Sequence, residues 1–561
     1  MPVLSSALDV AGAEFSANRK VAQSALEQVR TIEARTRERS ERARERFAAR
    51  GQLLPRERIG LLVDADASAL ELSTLAGYRR DQSDPDQSIG GAGVIALIAS
   101  VAGVRCMVVA SDSGIDAGAL QPMGLDKMLR AQDIALANRL PYIQLVESAG
   151  ANLLDYRVED FVRGGSLFRN LARHSAAGLP VVTVVHGSST AGGAYQTGLS
   201  DYIIMVRDRS RVFLAGPPLL KAATGEIADE EELGGARMHS TVSGLADYLA
   251  EDDRDALRTA RDLIARVAGR KLTPGCSVSW SASTAEGLSS LRRLAPIRAP
   301  QAVAPPRVNA EDLLGLMPAD SRRPVNMLEV VARIVDDSEF LEFSSGYGSA
   351  TVCGHARLEG WPLGIITNNG PIDDAGAAKA AHFIQSCCQS QTPILYLVNT
   401  TGFMVGRTVE QAGIVKLGSR MIQAVANATV PQITITCGAS FGAGNYGMCG
   451  RGFAPQFHFS WPGARTAVMG PEQAARTMRT VAEAAMRRKG EPDTAKLDAM
   501  EQAIVQRFES QMSVLSTSAL LLDDGVIDPR DTRAVVALVM EIGREASDRR
   551  GQPIQFSVGR A

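Results

Sequence analysis

The sequence predicts an α/β protein in which one strand-and-loop unit occurs twice. The first basis is that short β-branched segments, each preceded by a proline, alternate with helical segments. A turn rich in small residues follows each of these segments, and residues able to begin a helix come next. The second basis is that the same segments and turns recur in the other half of the chain. Alternating strands and helices in each half favour an α/β architecture.

The repeat is defined by ordered matches at an offset of 251 to 254 residues. The matched pairs are residues 140–150 and 392–402, residues 179–195 and 430–446, Gly216-Pro217 and Gly470-Pro471, and Lys127 and Lys379. Matches that keep both their order and their spacing indicate a duplicated domain.

Composition shifts predict the domain organisation. From about residue 14 to residue 58 the chain is rich in Arg, Glu and Ala, with apolar residues at helical spacing, which is typical of amphipathic helices. A Pro-rich stretch at residues 296–306 has the composition of a linker. We therefore predict a helical extension at residues 1–60, a first domain at 61–295, a linker at 296–308 and a second domain at 309–561.

Composition also excludes several classes of protein. The 561-residue chain has 45% hydrophobic residues, enough for the cores of two globular domains. Its formal net charge of −2 gives no basic excess for binding nucleic acid, and no apolar run is long enough to span a membrane. The seven cysteines form neither a disulfide framework nor a zinc-binding pattern, and no signal peptide is recognisable. We predict a cytoplasmic protein without a nucleic-acid or membrane partner.

The turns after the repeated strands contain the candidate catalytic groups. Small residues there allow a ligand to approach the backbone, and free N–H groups of the following helix point outward. Two such groups suit a developing oxyanion, since each good donor contributes roughly 3 kcal/mol in a dry site. The candidates are Gly192 and Gly193 in the first half, and Ala443 and Gly444 in the second. Close helix–strand packing explains a single loop equally well, but the repetition favours function.

Two other motifs in the second loop lack the partners that they require. Residues 438–442 satisfy G-x-S-x-G, but an α/β-hydrolase needs an acid and then a histidine after Ser440. Only His458 follows, with no Asp or Glu between them. Residues 442–447 satisfy G-x-G-x-x-G, but no acidic residue follows at the spacing of a dinucleotide-binding site. Neither a serine hydrolase nor a Rossmann site is favoured.

Polar residues at the strand ends are the remaining candidates. The six histidines show no metal-ligand spacing, so we predict no metal site. His186 ends the first repeated strand, where either substrate contact or packing explains it. Glu147 and Asn399 occupy equivalent strand ends, and either a polar role in the sites or an ordinary cap or turn role accounts for them.

Long motifs in both halves are specific enough to identify a family. In the first half they are Ala191-Gly-Gly-Ala-Tyr195, residues 213–226 and residues 233–239. In the second half they are residues 399–406, residues 440–450 and residues 468–474. These motifs resemble the β subunits of biotin-dependent acyl-CoA carboxylases, and the similarity runs from about Arg44 to the C-terminus. The run Gly-Ala-Gly-Asn-Tyr-Gly-Met-Cys-Gly at residues 442–450 is similar to the methylcrotonyl- and geranyl-CoA branch.

The resemblance implies a fold and an activity. Each half is expected to be a crotonase-like domain, a ββα spiral, with acyl-CoA bound in the N-terminal half of one subunit and biotin in the C-terminal half of a partner. The implied protein is a carboxyltransferase subunit that moves CO2 from N-carboxybiotin to an acyl-CoA. Biotin is expected on a separate α subunit with the biotin carboxylase, and no biotinyl-lysine motif occurs here. The β subunits are expected to form a homo-oligomer, usually a hexamer.

The resemblance also assigns roles to individual residues. Gly192 and Gly193 would bind the thioester oxygen of the enolate, while Ala443 and Gly444 would bind the ureido oxygen of biotin. The biotin anion would remove the substrate proton, so that no side-chain base or metal is required in this subunit. The predicted acyl-CoA contacts are Ser148, Ala149, Gly150, Ala191 and Ala194, and the predicted biotin contacts are Thr401, Gly402, Phe403, Asn445 and Tyr446.

The sequence leaves the identity of the acyl substrate open among several related thioesters. Tyr446 stands where propionyl-type enzymes carry Asp, which favours 3-methylcrotonyl-CoA or a longer branched thioester such as geranyl-CoA. Residues 153–165 lack the F-P-D-R-D-H-F-G run of the methylcrotonyl type, which keeps a geranyl-like or other branched or longer acyl-CoA open as the substrate. Gln52 replaces the family's usual lysine. The alternatives are an acetyl- or propionyl-CoA carboxylase β subunit, a biotin-dependent decarboxylase subunit and a non-catalytic scaffold paralogue.

Overall fold

The chain folds into two compact units, and each unit includes the terminal segment that belongs to the other half of the sequence. The computed structural model describes residues 2–150, 157–268, 303–318, 320, 323–488, 491–549, 553–554 and 556–559. The N-terminal unit consists of residues 32–295 and 542–561, and the C-terminal unit of residues 1–31 and 296–541. Of the predicted linker, residues 296–302 lie outside the described residues.

Specific contacts explain why each terminal segment belongs to the unit formed by the other half. The N–H group of Leu4 donates to the carbonyl of Ser338 at 2.9 Å within the C-terminal unit. The guanidinium of Arg105 pairs with Glu545 at 2.9 Å within the N-terminal unit. The compact units thus include terminal segments that the domain boundaries drawn from composition assign elsewhere.

The N-terminal unit contains an open sheet and its associated helices, and the first helix is shared by both units. The strands are β1 (Ala69–Leu72), β2 (Val94–Val101), β3 (Val104–Ser111), β4 (Tyr142–Ser148), β5 (Val181–Thr190), β6 (Tyr202–Val206), β7 (Arg211–Phe213) and β8 (Tyr248–Ala250). The helices are α1 (Ala13–Glu41), α2 (Arg44–Ala49), α3 (Pro55–Leu62), α4 (Pro122–Ala137), α5 (Val158–Ala176), α6 (Gly192–Gly198), α7 (Pro217–Thr224), α8 (Glu230–Gly234), α9 (Ala236–Thr241) and α10 (Asp253–Val267). The helical N-terminal extension predicted from the sequence is confirmed by α1 to α3.

The sheet of the N-terminal unit has the order β1-β2-β3-β4-β5-β6-β8, with β7 pairing to β5. Strands β1 to β3 are antiparallel, and the remaining pairings are parallel. Parallel strands are covered on both faces, which explains why β4 and β5 are apolar runs rather than alternating patterns. Their carboxyl ends meet at one edge, where Ser148 of β4 lies opposite Ser189 of β5.

The C-terminal unit repeats this arrangement. Its strands are β9 (Leu341–Glu342), β10 (Thr351–Leu358), β11 (Trp361–Asn368), β12 (Ile394–Thr400), β13 (Gln432–Phe441), β14 (Phe457–Ser460) and β15 (Arg465–Ala467). Its helices are α11 (Leu313–Leu316), α12 (Leu328–Ile334), α13 (Asp374–Gln389), α14 (Arg407–Ala412), α15 (Ile414–Ala426), α16 (Gly444–Gly447), α17 (Pro471–Arg487), α18 (Thr494–Met512), α19 (Val514–Ala519) and α20 (Thr532–Asp548), the last of which continues into the N-terminal unit. The sheet order is β14-β13-β12-β11-β10-β9, with β15 pairing to β13.

The duplication predicted from the sequence extends to individual hydrogen bonds. Leu120 donates from its backbone to Gly150 at 3.0 Å, and Ile372 donates to Gly402 at 2.9 Å, at the same offset of 252. Both β4–β5 and β12–β13 shift register at corresponding residues near their carboxyl ends. The predicted α/β class and the repeat are therefore confirmed.

The repeated lysines are buried in the structure. The ammonium group of Lys127 donates to the carbonyl of Val94 at 2.7 Å, and that of Lys379 donates to Ser344 at 3.4 Å. Burial lowers the pKa of Lys127 to about 8 and also lowers the pKa of Lys379. Both side chains thus tie the start of a helix to backbone carbonyls of their own unit.

Two classes of feature are absent from the described part of the chain. No helix there is long and apolar enough to cross a membrane. No group of three or more His, Cys, Asp or Glu side chains there is arranged to hold a metal ion.

Candidate active site

The first glycine-rich loop joins strand β5 to helix α6. Ala191 has a φ of 52° and a ψ of −115°, a conformation that is unfavourable for a residue with a Cβ atom. Its N–H group donates to the carbonyl of Phe213 at 3.1 Å, which anchors the turn to β7. The N–H groups of Gly192 and Gly193, which follow, meet no acceptor among the described residues. Gly192 is exposed and Gly193 half-buried, so two adjacent donors are available to a ligand.

The second loop joins strand β13 to helix α16 in the same way. Gly442 has a φ of 55°, and its N–H group donates to the carbonyl of Ala467 in β15 at 2.9 Å. The N–H groups of Ala443 and Gly444 come next, and neither finds an acceptor within the part of the chain that the structure describes. Ala443 is exposed and Gly444 is buried. The offset of 251 thus aligns the anchoring residue and the donor pair of the two loops.

Steric limits differ between the two loops. A Cβ atom added to Gly193 would lie 3.0 Å from the hydroxyl of Ser189, a contact that a small shift relieves. A Cβ atom added to Gly444 would lie 2.8 Å from the Cα atom of Gly402, where the neighbour is backbone. The second loop therefore accepts only glycine at the second donor position, because the strand ends approach closely there.

The predicted acyl-CoA contacts Ser148, Ala149 and Gly150 lie at the carboxyl end of β4. The Ser148 hydroxyl donates to the carbonyl of Gly118 at 2.6 Å and accepts from the N–H group of Gly150 at 3.1 Å. Gly150 has a φ of 93°, and a Cβ atom there would lie 3.1 Å from the Thr190 hydroxyl. Ala149 is exposed. The structure thus brings this segment beside the end of β5, which leads into the first loop.

The other two predicted acyl-CoA contacts differ in exposure. Ala191 is exposed at the tip of the loop, whereas Ala194 is buried in an apolar cluster with Val185 and Met205. Tyr195 is 56% exposed beside this loop, and its ring meets Phe168 edge-on with a centroid distance of 6.2 Å. Of the segment 153–165 considered for substrate choice, residues 153–156 lie outside the described residues.

The predicted biotin contacts surround the second loop. Gly402 has a φ of 116° and lies against Gly444, while Thr401 is exposed and Phe403 half-buried. Tyr446 is 50% exposed. The structure therefore brings the ends of β12 and β13 together, as the repeat predicts.

Asn445 uses its side chain within the protein. Its amide donates to the hydroxyl of Ser440 at 2.8 Å, and Ser440 is only 1% exposed. His458 is bonded to the hydroxyl of Thr436 at 2.9 Å and is also buried. The serine of the G-x-S-x-G motif is thus neither exposed nor paired with a histidine, as a nucleophile would have to be.

A buried ionic network beside the first loop was not predicted from the sequence. Glu147, at the end of β4, accepts hydrogen bonds from Arg58 at 2.6 Å and from Ser113 at 2.9 Å. Arg58 also contacts Asp253 at 3.3 Å, and Asp253 is bonded to Nδ1 of His186 at 2.8 Å. The side chains of Arg58, His186 and Asp253 are at most 2% exposed. The network links the end of β4 to the middle of β5, because β5 continues to Thr190 and His186 lies within the strand and not at its end as expected from the sequence.

Gln52 closes the network. Its amide donates to Glu147 at 3.1 Å and to the carbonyl of His186 at 3.1 Å. The signal that could have revealed the network is a charged residue inside the apolar face of α3, where Arg58 lies. Because Asp253 is about 200 residues away in sequence, no local pattern pairs the two.

The charge state of this network follows from burial and neighbours. Burial alone would raise the pKa of Asp253, but His186, the Arg58 guanidinium and the N–H group of Leu53 hold it below its usual range. Burial lowers the pKa of His186, and the positive charge of Arg58 lowers it further. We therefore assign a neutral imidazole whose Nδ1–H donates to an ionised Asp253. His186 is fully buried, so it supports the loop and does not reach a ligand.

The corresponding residues of the C-terminal unit are neutral. Asn399, equivalent to Glu147, accepts from the N–H group of Ala439 at 3.2 Å and lies over Gly438. Cys437 takes the place of His186, and burial raises its pKa well above the usual value. The same backbone loop therefore rests on charged side chains in one unit and on neutral ones in the other.

Comparison with known proteins identifies relatives of this arrangement. A model of the carboxyl transferase domain family matches residues 46–553. The "Probable biotin-dependent acyl-coenzyme A carboxylase beta2 subunit" of Mycobacterium tuberculosis is 48% identical over 498 residues, which are 88% of this chain and 88% of that protein. The "Biotin-dependent 3-methylcrotonyl-coenzyme A carboxylase beta1 subunit" of the same organism is 44% identical over 508 residues, 90% of each chain.

A solved structure also matches over the whole length of the chain. The crystal structure of the geranyl-CoA carboxylase beta subunit from P. aeruginosa is 47% identical in sequence and covers 100% of both chains, with a TM-score of 0.89. The duplicated fold described above is thus shared with that protein from end to end.

Proposed function

Because this chain belongs to the carboxyl transferase domain family, we propose that its two loops are the two oxyanion holes of the carboxyltransferase subunit of a biotin-dependent acyl-CoA carboxylase. The resemblance identified from the motifs is confirmed by the relatives, as are the crotonase-like fold and the enzyme class. The observation that supports the loop assignment is the pair of adjacent N–H groups, free of protein acceptors, that each unit presents at the same position.

The first loop suits the thioester of an acyl-CoA. The N–H groups of Gly192 and Gly193 would donate to the thioester oxygen as it gains negative charge on loss of the α-proton. Donors that are fixed before the reaction stabilise such charge without reorganisation. Ser148, Ala149 and Gly150 border this position and would bind the acyl-CoA, and the exposed Ala191 leaves the approach open.

The second loop suits the ureido ring of biotin. The backbone of Gly402 and the methyl group of Thr400 lie beside the Gly444 donor, and a Cβ atom at Gly444 would lie within 3.0 Å of both. Ala443 and Gly444 would donate to the ureido oxygen, with Thr401, Phe403 and Tyr446 around it. When bound, biotin supplies the carboxyl group and a base for the substrate proton. The chain itself needs only to place and polarise the two reactants.

The carrier of biotin and the subunit assembly are part of the proposal. We propose that biotin is delivered on a separate α subunit and that β subunits form a dimer-built homo-oligomer, of which a hexamer is the expected form. The named functions of the relatives support the biotin dependence. For the acyl group we propose 3-methylcrotonyl-CoA or a longer branched thioester such as geranyl-CoA, in keeping with the named substrates of two relatives.

Substitution of each donor tests the loop assignment in the reconstituted complex. We expect Gly193→Val and Gly444→Val to lower kcat at least about a hundredfold, because a misplaced N–H pair loses several kcal/mol of transition-state stabilisation. The matched controls are Gly198→Ala and Gly470→Ala, since a Cβ atom at either position meets nothing closer than 3.9 Å. Normal kcat in either valine variant would overturn the assignment of that loop.

Acyl-CoA thioesters from acetyl to geranyl, assayed with the cognate α subunit, test the substrate. We expect the highest kcat/KM for a branched thioester. A preference for acetyl- or propionyl-CoA would reject the proposed substrate class and leave the loop assignment intact, because both loops act on the thioester and on biotin and not on the acyl chain.

A further inference from the structure

The C-terminal unit contains a cavity of about 240 Å³ beside the ends of β12 and β13. Asn399, Cys437 and Gly438 line its inner end, while Val21 and Ala25 of α1 lie at its rim. Neither donor of the second loop lines it. The cavity is therefore separate from the oxyanion position proposed above.

The equivalent region of the N-terminal unit holds large side chains. Glu147 and His186 stand where Asn399 and Cys437 stand, and the Arg58 guanidinium lies between the carboxylates of Glu147 and Asp253. The smaller neutral side chains of the C-terminal unit leave this volume unfilled. The pocket is bordered by exposed residues such as Val21, so this unfilled volume is accessible to a small ligand from solvent.

The cavity is lined by an arginine that has no ion-pair partner among the described residues. Arg465 lines it and is half-buried, and no ion pair or hydrogen bond of its guanidinium occurs in the described part of the protein. The equivalent arginine of the other unit, Arg211 at an offset of 254, is paired with Glu230 at 2.9 Å. The duplicated position therefore keeps its arginine in both units but has a carboxylate partner in only one.

A second donor faces the same volume. The Asn399 carbonyl oxygen accepts from the N–H group of Ala439 at 3.2 Å, which fixes the orientation of the amide. Its NH2 group has no acceptor among the described residues. An arginine and an amide NH2 together suit a carboxylate, which the guanidinium can bind with two parallel hydrogen bonds.

The remaining lining is mostly apolar, with Gln28, Ser513 and Arg323 as further polar residues, and Arg323 is already paired with Glu14. The apolar part is formed by Leu313, Met317, Val325, Trp461, Val514 and Leu515. An engineered cavity of about 150 Å³ is enough to hold benzene, so this one admits a ring or a branched chain together with a carboxylate. Such a mixed lining, apolar with a few convergent polar groups, is the usual composition of a small-molecule site.

We propose that this cavity binds a small carboxylic acid with an apolar body, with the carboxylate at Arg465 and Asn399 and the body against Met317, Val514 and Leu515. The proposal does not depend on the function of the two loops, because it rests on residues outside them. Binding here would also fix Asn399, which immediately precedes the segment that leads to Gly402.

Benzoate is the first probe, and benzyl alcohol and acetate are its matched partners. Benzyl alcohol keeps the ring without the charge, and acetate keeps the charge without the ring. We expect benzoate to bind to the full-length chain in saturation-transfer NMR and calorimetry, with both partners at least about tenfold weaker, since each lacks one of the two interactions.

Three variants locate the site. Arg465→Gln removes the charge and Ala25→Trp fills the cavity from its rim, and each is expected to weaken benzoate at least about tenfold. Arg211→Gln, which changes the paired arginine of the other unit, is the control and is expected to leave binding unchanged. Hydrogen exchange at β12 and β13 checks that Arg465→Gln and Ala25→Trp remain folded.

Four results would overturn the proposal. Absence of benzoate binding would show that the cavity takes no small acid. Benzoate binding that survives Ala25→Trp would place the acid elsewhere on the chain. Equal binding of benzoate and benzyl alcohol would remove the role of Arg465. Protection of a label on Val21→Cys by another copy of the chain would show that protein, and not a small acid, occupies the cavity.

Discussion

The two units present the same loop to solvent but support it in different ways. In the N-terminal unit the end of β4 and the middle of β5 are held by the ionic network of Arg58, Glu147, His186 and Asp253. In the C-terminal unit neutral side chains occupy the corresponding positions beside a cavity. The N–H pair in each loop is set by strand pairing and by one residue with positive φ, which both units keep. The supporting side chains were thus free to diverge without altering the donors.

Removal of the Arg58 charge is the strongest way to break this comparison. We expect Arg58→Met to destabilise the N-terminal unit by about 3–5 kcal/mol, because Glu147 and Asp253 would remain buried without their cation. Hydrogen exchange of β4 and β5 should report the loss, while β12 and β13 stay protected.

The control is Arg307→Met in the C-terminal unit. Arg307 pairs with Asp337, but its side chain is 56% exposed, so its loss should cost much less than the loss of Arg58. Similar destabilisation by the two variants would show that the buried network stabilises the fold no more than a surface ion pair does.

A difference in pH dependence sharpens the comparison. Burial raises the pKa of Asp523 in the C-terminal unit to about 6, with a further contribution from Asp524. A carboxyl whose folded pKa is raised stabilises the fold at low pH and loses this contribution as pH rises through about 6. Asp523→Asn should therefore gain about 3 kcal/mol relative to the natural chain between about pH 4 and pH 7.

Asp253 in the N-terminal unit should behave in the opposite sense. Its folded pKa lies below the usual range, so its contribution is present at neutral pH and is lost as pH falls through that pKa. Asp253→Asn should cost most at neutral pH and progressively less in acid. Urea titration at each pH measures the free energy of unfolding of both variants. The extent of unfolding is read by pulse hydrogen-exchange labelling at one fixed pH. Parallel pH profiles for the two would contradict this assignment.

The smallest expected effect concerns the loop backbone itself. Ala191 and Gly442 have similar positive φ angles, but only the alanine has a Cβ atom, which makes this conformation unfavourable. Ala191→Gly should relieve about 1 kcal/mol of strain, whereas Gly442→Ala should introduce a similar cost. A Cβ atom at Gly442 would also lie 3.2 Å from the carbonyl of Val468. Thermal unfolding of the pair measures the two shifts, and changes of the same sign would refute the equivalence.

Much of the fold could be predicted because its signals are local. Prolines before β-branched runs predicted β4, β5, β12 and β13, and the constant offset predicted that the two loops correspond. The apolar content of these strands follows from burial on both faces, which requires no knowledge of distant residues. The roles of the individual site residues stay predictions, although the structure places Gly402 against Gly444 and Gly150 beside Thr190.

Other features depend on residues that are far apart in sequence. The exchange of terminal segments between the units rests on contacts such as that of Leu4 with Ser338. The partners of Arg58 come from β4 and from the start of α10, so no periodicity connects them.

The sequence by itself determined the duplication, the α/β class and the position of both donor pairs. These features follow from the constant offset between the halves, from the order of strand and helix patterns, and from the small residues of each loop. Only the tertiary structure decided that one loop rests on a charged network and the other beside a cavity. The reason is physical: a buried charge or a void depends on which distant side chains fill the same volume. The residues that fill it around Glu147 are absent around Asn399.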